Sequence, residues 1–174
     1  MNPMRPAITL PRLDTYTGAV PQGWLWQAKL NDERATVSPG TRLLNRLGQP
    51  IARHKAAAFE DALELAFRLF DRPLDLALLG FRGEFPVGGI VVLDLPGTGT
   101  YRERCIPLSV LRPLSIGDIP SPGMVYRLEN FEDPVALFKQ TIGVLGLEGI
   151  IGRRPGAGYC YGNSRDMVKS KWKN

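Results

Sequence analysis

One stretch of this sequence has the periodicity of a long helix, and the ordered segments around it are short. In residues 55–70, Phe59, Ala62, Leu63, Ala66, Phe67 and Phe70 recur every three or four positions and form one apolar stripe. Asp71-Arg72-Pro73 ends it. A second helix is marked by Asp133 as N-cap and Pro134 in the first turn, and runs over about 135–142. The strand candidates are residues 24–29, 34–37, 41–46, 74–79, 89–95, 147–152 and 167–172, each bounded by glycine, proline or an Asn-Asp turn. Strands outnumber helices and interrupt them rather than alternate with them. That predicts an α+β fold with mostly antiparallel sheets and packed helices.

At 174 residues the chain is long enough for one domain, and 44% hydrophobic residues suffice for an ordinary core. Prolines at 3, 6, 11 and 21 make residues 1–21 an extended N-terminal arm or loop and leave 22–174 as the folded domain. Asn31-Asp32 is a turn signal from which residues 34–37 can return as a second strand.

Two cysteines and one histidine cannot build a disulfide framework, a zinc site or most histidine-based catalytic centres. Residues 1–11 are broken by prolines and carry no apolar run of a signal peptide, and the longest apolar stretches are far too short to span a bilayer. A cytoplasmic protein with no membrane partner is the expectation. Charge is the more specific clue. From residue 153 onward Arg153, Arg154, Arg165, Lys169, Lys171 and Lys173 face one acid, Asp166, a local excess of 6 − 1 = +5 that equals the net charge of the whole chain. Such a tail is either a solvated terminus or a surface for a phosphate-rich partner.

Several polar residues sit where chemistry is easily placed. Lys29 ends a strand just before a turn, and Arg34 follows five residues on. Glu84 lies in Gly83-Glu84, and Glu148 in Glu148-Gly149 at the start of an apolar strand. Lys169 and Lys171 are two apart on a strand and so share one face, where they repel unless an anion sits between them. An edge strand guarded by lysine has the same pattern.

Taken in order, these parts resemble the nucleotidyltransferase (adenylation) domain of ATP-dependent DNA ligases, in the covalent nucleotidyltransferase superfamily shared with RNA ligases and mRNA capping enzymes. Lys29-Leu30-Asn31-Asp32-Glu33-Arg34 is similar to that family's Lys-x-Asp-Gly-x-Arg. Asn45-Arg46-Leu47-Gly48 resembles its Ser-Arg-x-Gly element, Gly83-Glu84 and Glu148-Gly149 its two glutamate motifs, and residues 89–95 the strand between those two. Val168-Lys169-Ser170-Lys171 resembles its closing lysine motif, so the likeness covers about residues 22–172.

The resemblance implies an ATP-grasp-like adenylation-domain architecture and a polynucleotide ligase that uses ATP and Mg²⁺. Lys29 would be the nucleophile that becomes lysyl-AMP. Gln27 would read the adenine edge, Arg34 and Arg46 would contact the nucleotide or the incoming end phosphate, and Glu84 would accept from a ribose hydroxyl. Leu93 would lie against the base, Lys169 and Lys171 would grip the α-phosphate, and Glu148 would hold Mg²⁺ directly or through water. Nicked duplex DNA or RNA ends are the implied partners, with Arg153, Arg154 and Lys173 as nucleic-acid contacts and Tyr159 and Tyr161 in the loop after the arginines. An RNA-end ligase and a binding module that kept the fold but lost the chemistry remain the rival readings.

Two positions depart from the family pattern. Asn31-Asp32 replaces Asp-Gly, which removes the glycine of a tight turn and puts a carboxylate near the expected phosphates. Leu93 stands where an aromatic usually stacks on adenine. No OB-fold domain is expected in the chain. The basic tail, the N-terminal arm or a protein partner would then hold the nucleic acid.

Overall fold

The computed structural model describes residues 2–173. In chain order the elements are β1 (Met4–Leu10), β2 (Leu25–Leu30), β3 (Glu33–Val37), β4 (Leu44–Asn45), α1 (Arg53–Ala56), α2 (Glu60–Leu69), β5 (Leu74–Leu78), β6 (Ile90–Asp94), α3 (Tyr101–Cys105), β7 (Arg112–Pro113), β8 (Val125–Arg127), α4 (Pro134–Thr141), β9 (Leu147–Arg153) and β10 (Gly162–Lys171). They build a four-stranded sheet ordered β1-β10-β9-β2 and a six-stranded sheet ordered β4-β3-β5-β6-β8-β7. Three pairs are parallel, β1 with β10, β6 with β8 and β7 with β8, and the rest are antiparallel. The fold is therefore α+β with mostly antiparallel sheets. No helix among the described residues is long and apolar enough to cross a membrane.

The pleat of each sheet decides what packs where, because successive side chains point to opposite faces. In the six-stranded sheet, Leu76, Leu78, Ile90 and Val92 face Phe59, Ala62, Ala66 and Phe70 of the helical segment. The stripe read from the sequence is thus buried, although residues 55–70 are not one helix: α1 leads through a 3₁₀ turn (Ala57–Phe59) into α2. The opposite face of the same sheet carries Ala77, Leu79, Val91 and Leu93, which pack with Ala28, Leu30 and Leu147. In the four-stranded sheet Trp26, Ile150 and Val168 pack under Leu137 and Phe138 of α4. Asp133 starts that helix, accepting from the Val135 and Ala136 N–H groups. The alternate positions of β2, β9 and β10 are left to face the cleft between the sheets.

Three expectations need correction. Part of the proline-rich N-terminal arm is a strand, β1, at the edge of the four-stranded sheet, and Leu13 just after it is 1% exposed in the core beside Trp26. Proline is tolerated there because an edge strand leaves alternate N–H groups unpaired. Residues 41–46 contain only the two-residue β4, since the Asn45 side chain accepts from the Leu47 and Gln49 N–H groups and turns the chain. Finally, β3 does not return beside β2 but crosses to the other sheet. Asp32 explains why: its carboxylate accepts from the N–H groups of Gly80 and Arg82, both at 3.0 Å, and ties the turn to the loop after β5.

The elements missed in the sequence are the short ones, α3, β7 and β8. A capping box, Thr100 with Glu103, was the readable sign of α3.

Candidate active site

Cross-strand register assembles the site. Lys29 of β2 and Lys171 of β10 both pair with Gly149 of β9, and one row further Gln27 and Lys169 both pair with Ile151. All these side chains belong to the face that looks into the cleft. Glu148 should look the other way, but the β2–β9 register slips there: Lys29 pairs with Gly149 while Leu30 pairs with Leu147. Glu148 is the extra residue of this bulge, and bulges re-aim side chains. Its carboxylate bonds Lys29 through Oε1 and lies 3.1 Å from Lys171 Nζ through Oε2. Gly149 is required for the same geometry. It has φ +152°, and a Cβ there would fall 2.0 Å from the Ser170 carbonyl oxygen and 2.8 Å from Lys171 Cα.

The cleft has a volume of about 360 Å³. Burial holds the Lys29 ammonium below a lysine's ordinary 10.5; the charges of Lys171 and Lys169 push the same way, and the carboxylate of Glu148 opposes them. Burial raises Glu148 in turn, but the two lysine partners outweigh it and leave the carboxyl below its ordinary 4.5. Lys169 has no ion-pair partner among the described residues. The arrangement is one carboxylate among three ammonium groups, a half-buried cluster with positive charge to spare. An anion, above all a phosphate, would complete it. Ala28, Ala77, Leu93 and Leu128 supply the apolar part of the wall, beside the 6% exposed Gln27. Polar edge and apolar face together suit a planar base.

A second, drier cluster lies under the same cleft. Asp75 and Asp94 are cross-strand partners on β5 and β6, both 0% exposed. Two carboxylates so placed repel, and arginines neutralise them. Arg34 bonds Asp75 twice, at 2.8 and 2.9 Å, and Arg104 bonds Asp94 twice, at 2.9 and 3.1 Å. Arg153 lies 3.7 Å from Asp94 and stacks 5.0 Å from the Tyr101 ring centroid. The Tyr159 hydroxyl donates to Asp75 at 2.7 Å and accepts from the Met4 N–H, so the loop after β9 and the N-terminal strand are tied to the six-stranded sheet.

The structure thus gathers Gln27, Lys29, Arg34, Arg46, Leu93, Glu148, Lys169 and Lys171 around one cavity. Glu84 is not among them. The loop between β5 and β6 carries it to the C-terminal segment, where it pairs with Lys173. Arg153 is not a surface contact: it is 3% exposed, at the base of the cleft. Arg154 is exposed and pairs with Asp166 at 2.7 Å.

The concern over Asn31-Asp32 also resolves. No non-glycine residue among those described has positive φ, so this turn needs no glycine, and the Asp32 carboxylate is occupied by backbone donors. Sequence reasoning missed Asp75, Asp94, Arg104, Arg5 and Asn163. An aspartate inside an apolar strand, as in Leu74-Asp75-Leu76, was the available sign, because a buried acid needs a cation.

The described residues hold no group of three or more His, Cys, Asp or Glu that could cage a metal. Three carboxylates line the cleft, and Asp32 is held by the Gly80 and Arg82 N–H groups and Glu33 by the Arg82 side chain. Glu148, beside Lys29, offers the hard oxygen that fits a Mg²⁺ with phosphate and water as its other ligands.

No family model matches the sequence, and no curated protein matches it. Solved structures do match. The ligase domain of M. tuberculosis LigD superposes with a TM-score of 0.65 at 18% identity, covering 98% of this chain and 59% of that one. The Chlorella virus DNA ligase-adenylate gives 0.58 at 17%, covering 98% and 67%. A Lig E DNA ligase, described for DNA binding with a minimal scaffold, gives 0.56 at 17%, covering 94% and 68%. The chain therefore spans roughly three-fifths to two-thirds of the length of these proteins. Its fold is that of a nucleotidyltransferase domain. More narrowly, it is the fold of the adenylation domain of ATP-dependent DNA ligases.

Proposed function

We propose that this chain is an ATP-dependent polynucleotide ligase acting on DNA, with Lys29 as its covalent nucleophile. The observation that carries the proposal is the Lys29 amine: it is desolvated, it sits beside two further lysines, and it shares one carboxylate with Lys171. An amine attacks phosphorus only when neutral, and burial makes the neutral form accessible. Lys29 loses its proton and its Nζ bonds the α-phosphorus of ATP, while the α–β bridging P–O bond breaks and pyrophosphate leaves. Lys169 and Lys171 offset the charge that builds on the phosphate oxygens. An oxygen of a 5′-phosphate then displaces Lys29, which regains a proton. A 3′-hydroxyl next attacks the 5′ phosphorus, expels AMP and closes the strand.

Glu148 is the residue that would hold Mg²⁺, which when bound neutralises phosphate oxygens. The same carboxylate keeps Lys29 charged at rest, so drawing it away would release the amine. Gln27 offers both a donor and an acceptor to an adenine edge, with Leu93 as an aliphatic contact against the base.

The Chlorella virus protein, solved as an adenylate, supports the nucleotide part of this reading, and the Lig E protein supports the DNA part. The test is incubation with α-labelled ATP and Mg²⁺ followed by denaturing electrophoresis, beside Lys29→Ala. A labelled band in the wild type and none in the variant is the expected result. No band, with intact mass showing no AMP already attached, would sink the enzyme and leave a binding module of the same fold. Sealing of RNA ends in preference to a DNA nick would reassign the substrate.

A further inference from the structure

The turn between β2 and β3 is held from both sides. On one side the Asn31 N–H donates to the Gly146 carbonyl at 2.8 Å, just before β9. On the other, the Asp32 carboxylate accepts from the Gly80 and Arg82 N–H groups, one oxygen for each. The loop that supplies those donors is stiff. The Leu79 N–H closes its base on the Gly89 carbonyl at 2.9 Å, and Gly80 has φ +82° with Val87 Cα 2.6 Å from where a Cβ would stand. Phe85 of the same loop lies against Gly146 and leaves no room for a Cβ there. Three segments distant in sequence thus meet at one junction, and Lys29 lies three positions before Asp32. The carboxylate is kept there against a penalty. Burial pushes Asp32 above its ordinary 3.8, while the Arg82 and Gly80 N–H groups and the Arg82 charge pull it back.

We propose that Asp32 is a positioning residue for Lys29, because it pins the end of β2 to the loop after β5 and so fixes where the amine points. The proposal rests on the ligase reading and gives a task to a residue that departs from the family pattern. Its logic is mechanical. Strand β2 is at the edge of the four-stranded sheet, and its register with β9 slips between Lys29 and Leu30. An edge strand that ends at a bulge is a place where a chain frays. A nucleophile needs the opposite, since its rate depends on being held close to the attacking geometry. Glycine in the same turn would leave that end of the strand without an anchor, whereas both Asp32 oxygens are spent on a rigid loop. The residue therefore acts through what it holds.

The experiment compares the full chain with Asp32→Ala and Asp32→Asn in single-turnover labelling by α-labelled ATP and Mg²⁺ over a range of ATP concentrations. For Asp32→Ala the rate at saturating ATP should fall about tenfold, the scale of a sub-ångström misplacement, with half-saturating ATP within about threefold of wild type. Asp32→Asn keeps one acceptor oxygen and should lie between; it carries the test if Asp32→Ala does not fold. Amide exchange without ATP supplies a second readout. The Asn31 N–H should exchange faster in the variants, while the Trp26 N–H of the same strand, which donates to the Phe131 carbonyl at 2.9 Å, keeps its wild-type rate. A loss confined to the fraction labelled, with the rate constant kept, is lost folding and overturns the proposal. A raised half-saturating ATP with the saturating rate kept puts Asp32 in nucleotide binding and overturns it too, as does unchanged exchange at Asn31. The two readings fail separately. If no chain labels, the ligase reading falls and exchange alone decides the anchor. If Asp32→Ala labels at the wild-type rate, the anchor falls and the ligase reading stands.

Discussion

The two charged clusters of this molecule use the same chemistry under opposite conditions. Around Asp75 and Asp94, two carboxylates meet three guanidiniums in a dry layer, the closest contacts are paired bidentate bonds, and both acids are fully buried. Around Glu148, one carboxylate meets three ammonium groups at an open cleft, and Lys29 is held below its ordinary pKa. The first cluster is close to complete and resists change. The second is short of negative charge and has room for it. The lesson is that an ion pair in a fold says little about function until its surplus is counted. A satisfied pair joins strands, and an unsatisfied one waits for a ligand.

The sharpest way to break this contrast is to empty one side of the dry cluster. Arg104→Ala leaves Asp94 buried with only the more distant Arg153, and should lower unfolding free energy by about 3–5 kcal/mol in urea titration. A loss comparable to that of a surface pair would mean that the layer is not dry, and the comparison would fail. The equivalent change in the open cluster, Lys29→Ala, should abolish labelling and leave the melting transition close to wild type.

A smaller effect reads the Glu148 cluster by pH. Because the folded-state value of Lys29 lies below 10.5, labelling should rise with pH and reach its midpoint below that value. The linked stability has the same sign. Between the lowered value and 10.5 the unfolded chain binds the proton that the folded chain has shed, so the Lys29 contribution improves as pH rises through that window. Glu148→Gln removes the charge that holds Lys29 protonated, and should move the midpoint lower still. A midpoint that moves up would show that Glu148 does not set the state of the lysine. For Glu148 itself the folded value lies below 4.5, so its contribution is present above that value and is lost as pH falls through the lowered one.

The smallest effect contrasts two neighbours. Arg154→Ala should leave the melting transition unchanged, since its bond to Asp166 is exposed to water and salt. If Arg154 meets a nucleic-acid backbone, the same variant should reduce the salt slope of DNA binding by about one. Arg153→Ala should instead destabilise the protein, because its guanidinium is buried near Asp94 and Tyr101.

The sequence alone determined what depends on near neighbours along the chain. The Phe59–Ala62–Ala66–Phe70 stripe, the Asp133 cap, the runs that became β5, β6 and β9, and the shared face of Lys169 and Lys171 all follow from local period and turn chemistry. The order of short motifs was also enough to suggest the fold that the solved ligases share, along with Gln27, Lys29, Arg34, Arg46, Leu93, Glu148, Lys169 and Lys171 of the cavity wall.

Tertiary structure alone decided what depends on pairing across the chain. Strand pairing put β1 into a sheet and brought Arg5 to the cleft, 158 positions from Asn163 in sequence but opposite it in register. A one-residue slip turned Glu148 toward Lys29, and the Asp32 anchor sent β3 to the other sheet. Burial separated Arg153 from Arg154, which are chemically identical and adjacent, and a loop carried Glu84 away from the site to Lys173. Periodicity reports which way a side chain points relative to its own strand. Only long-range register and burial fix what it meets there, and that meeting sets its charge state and its use.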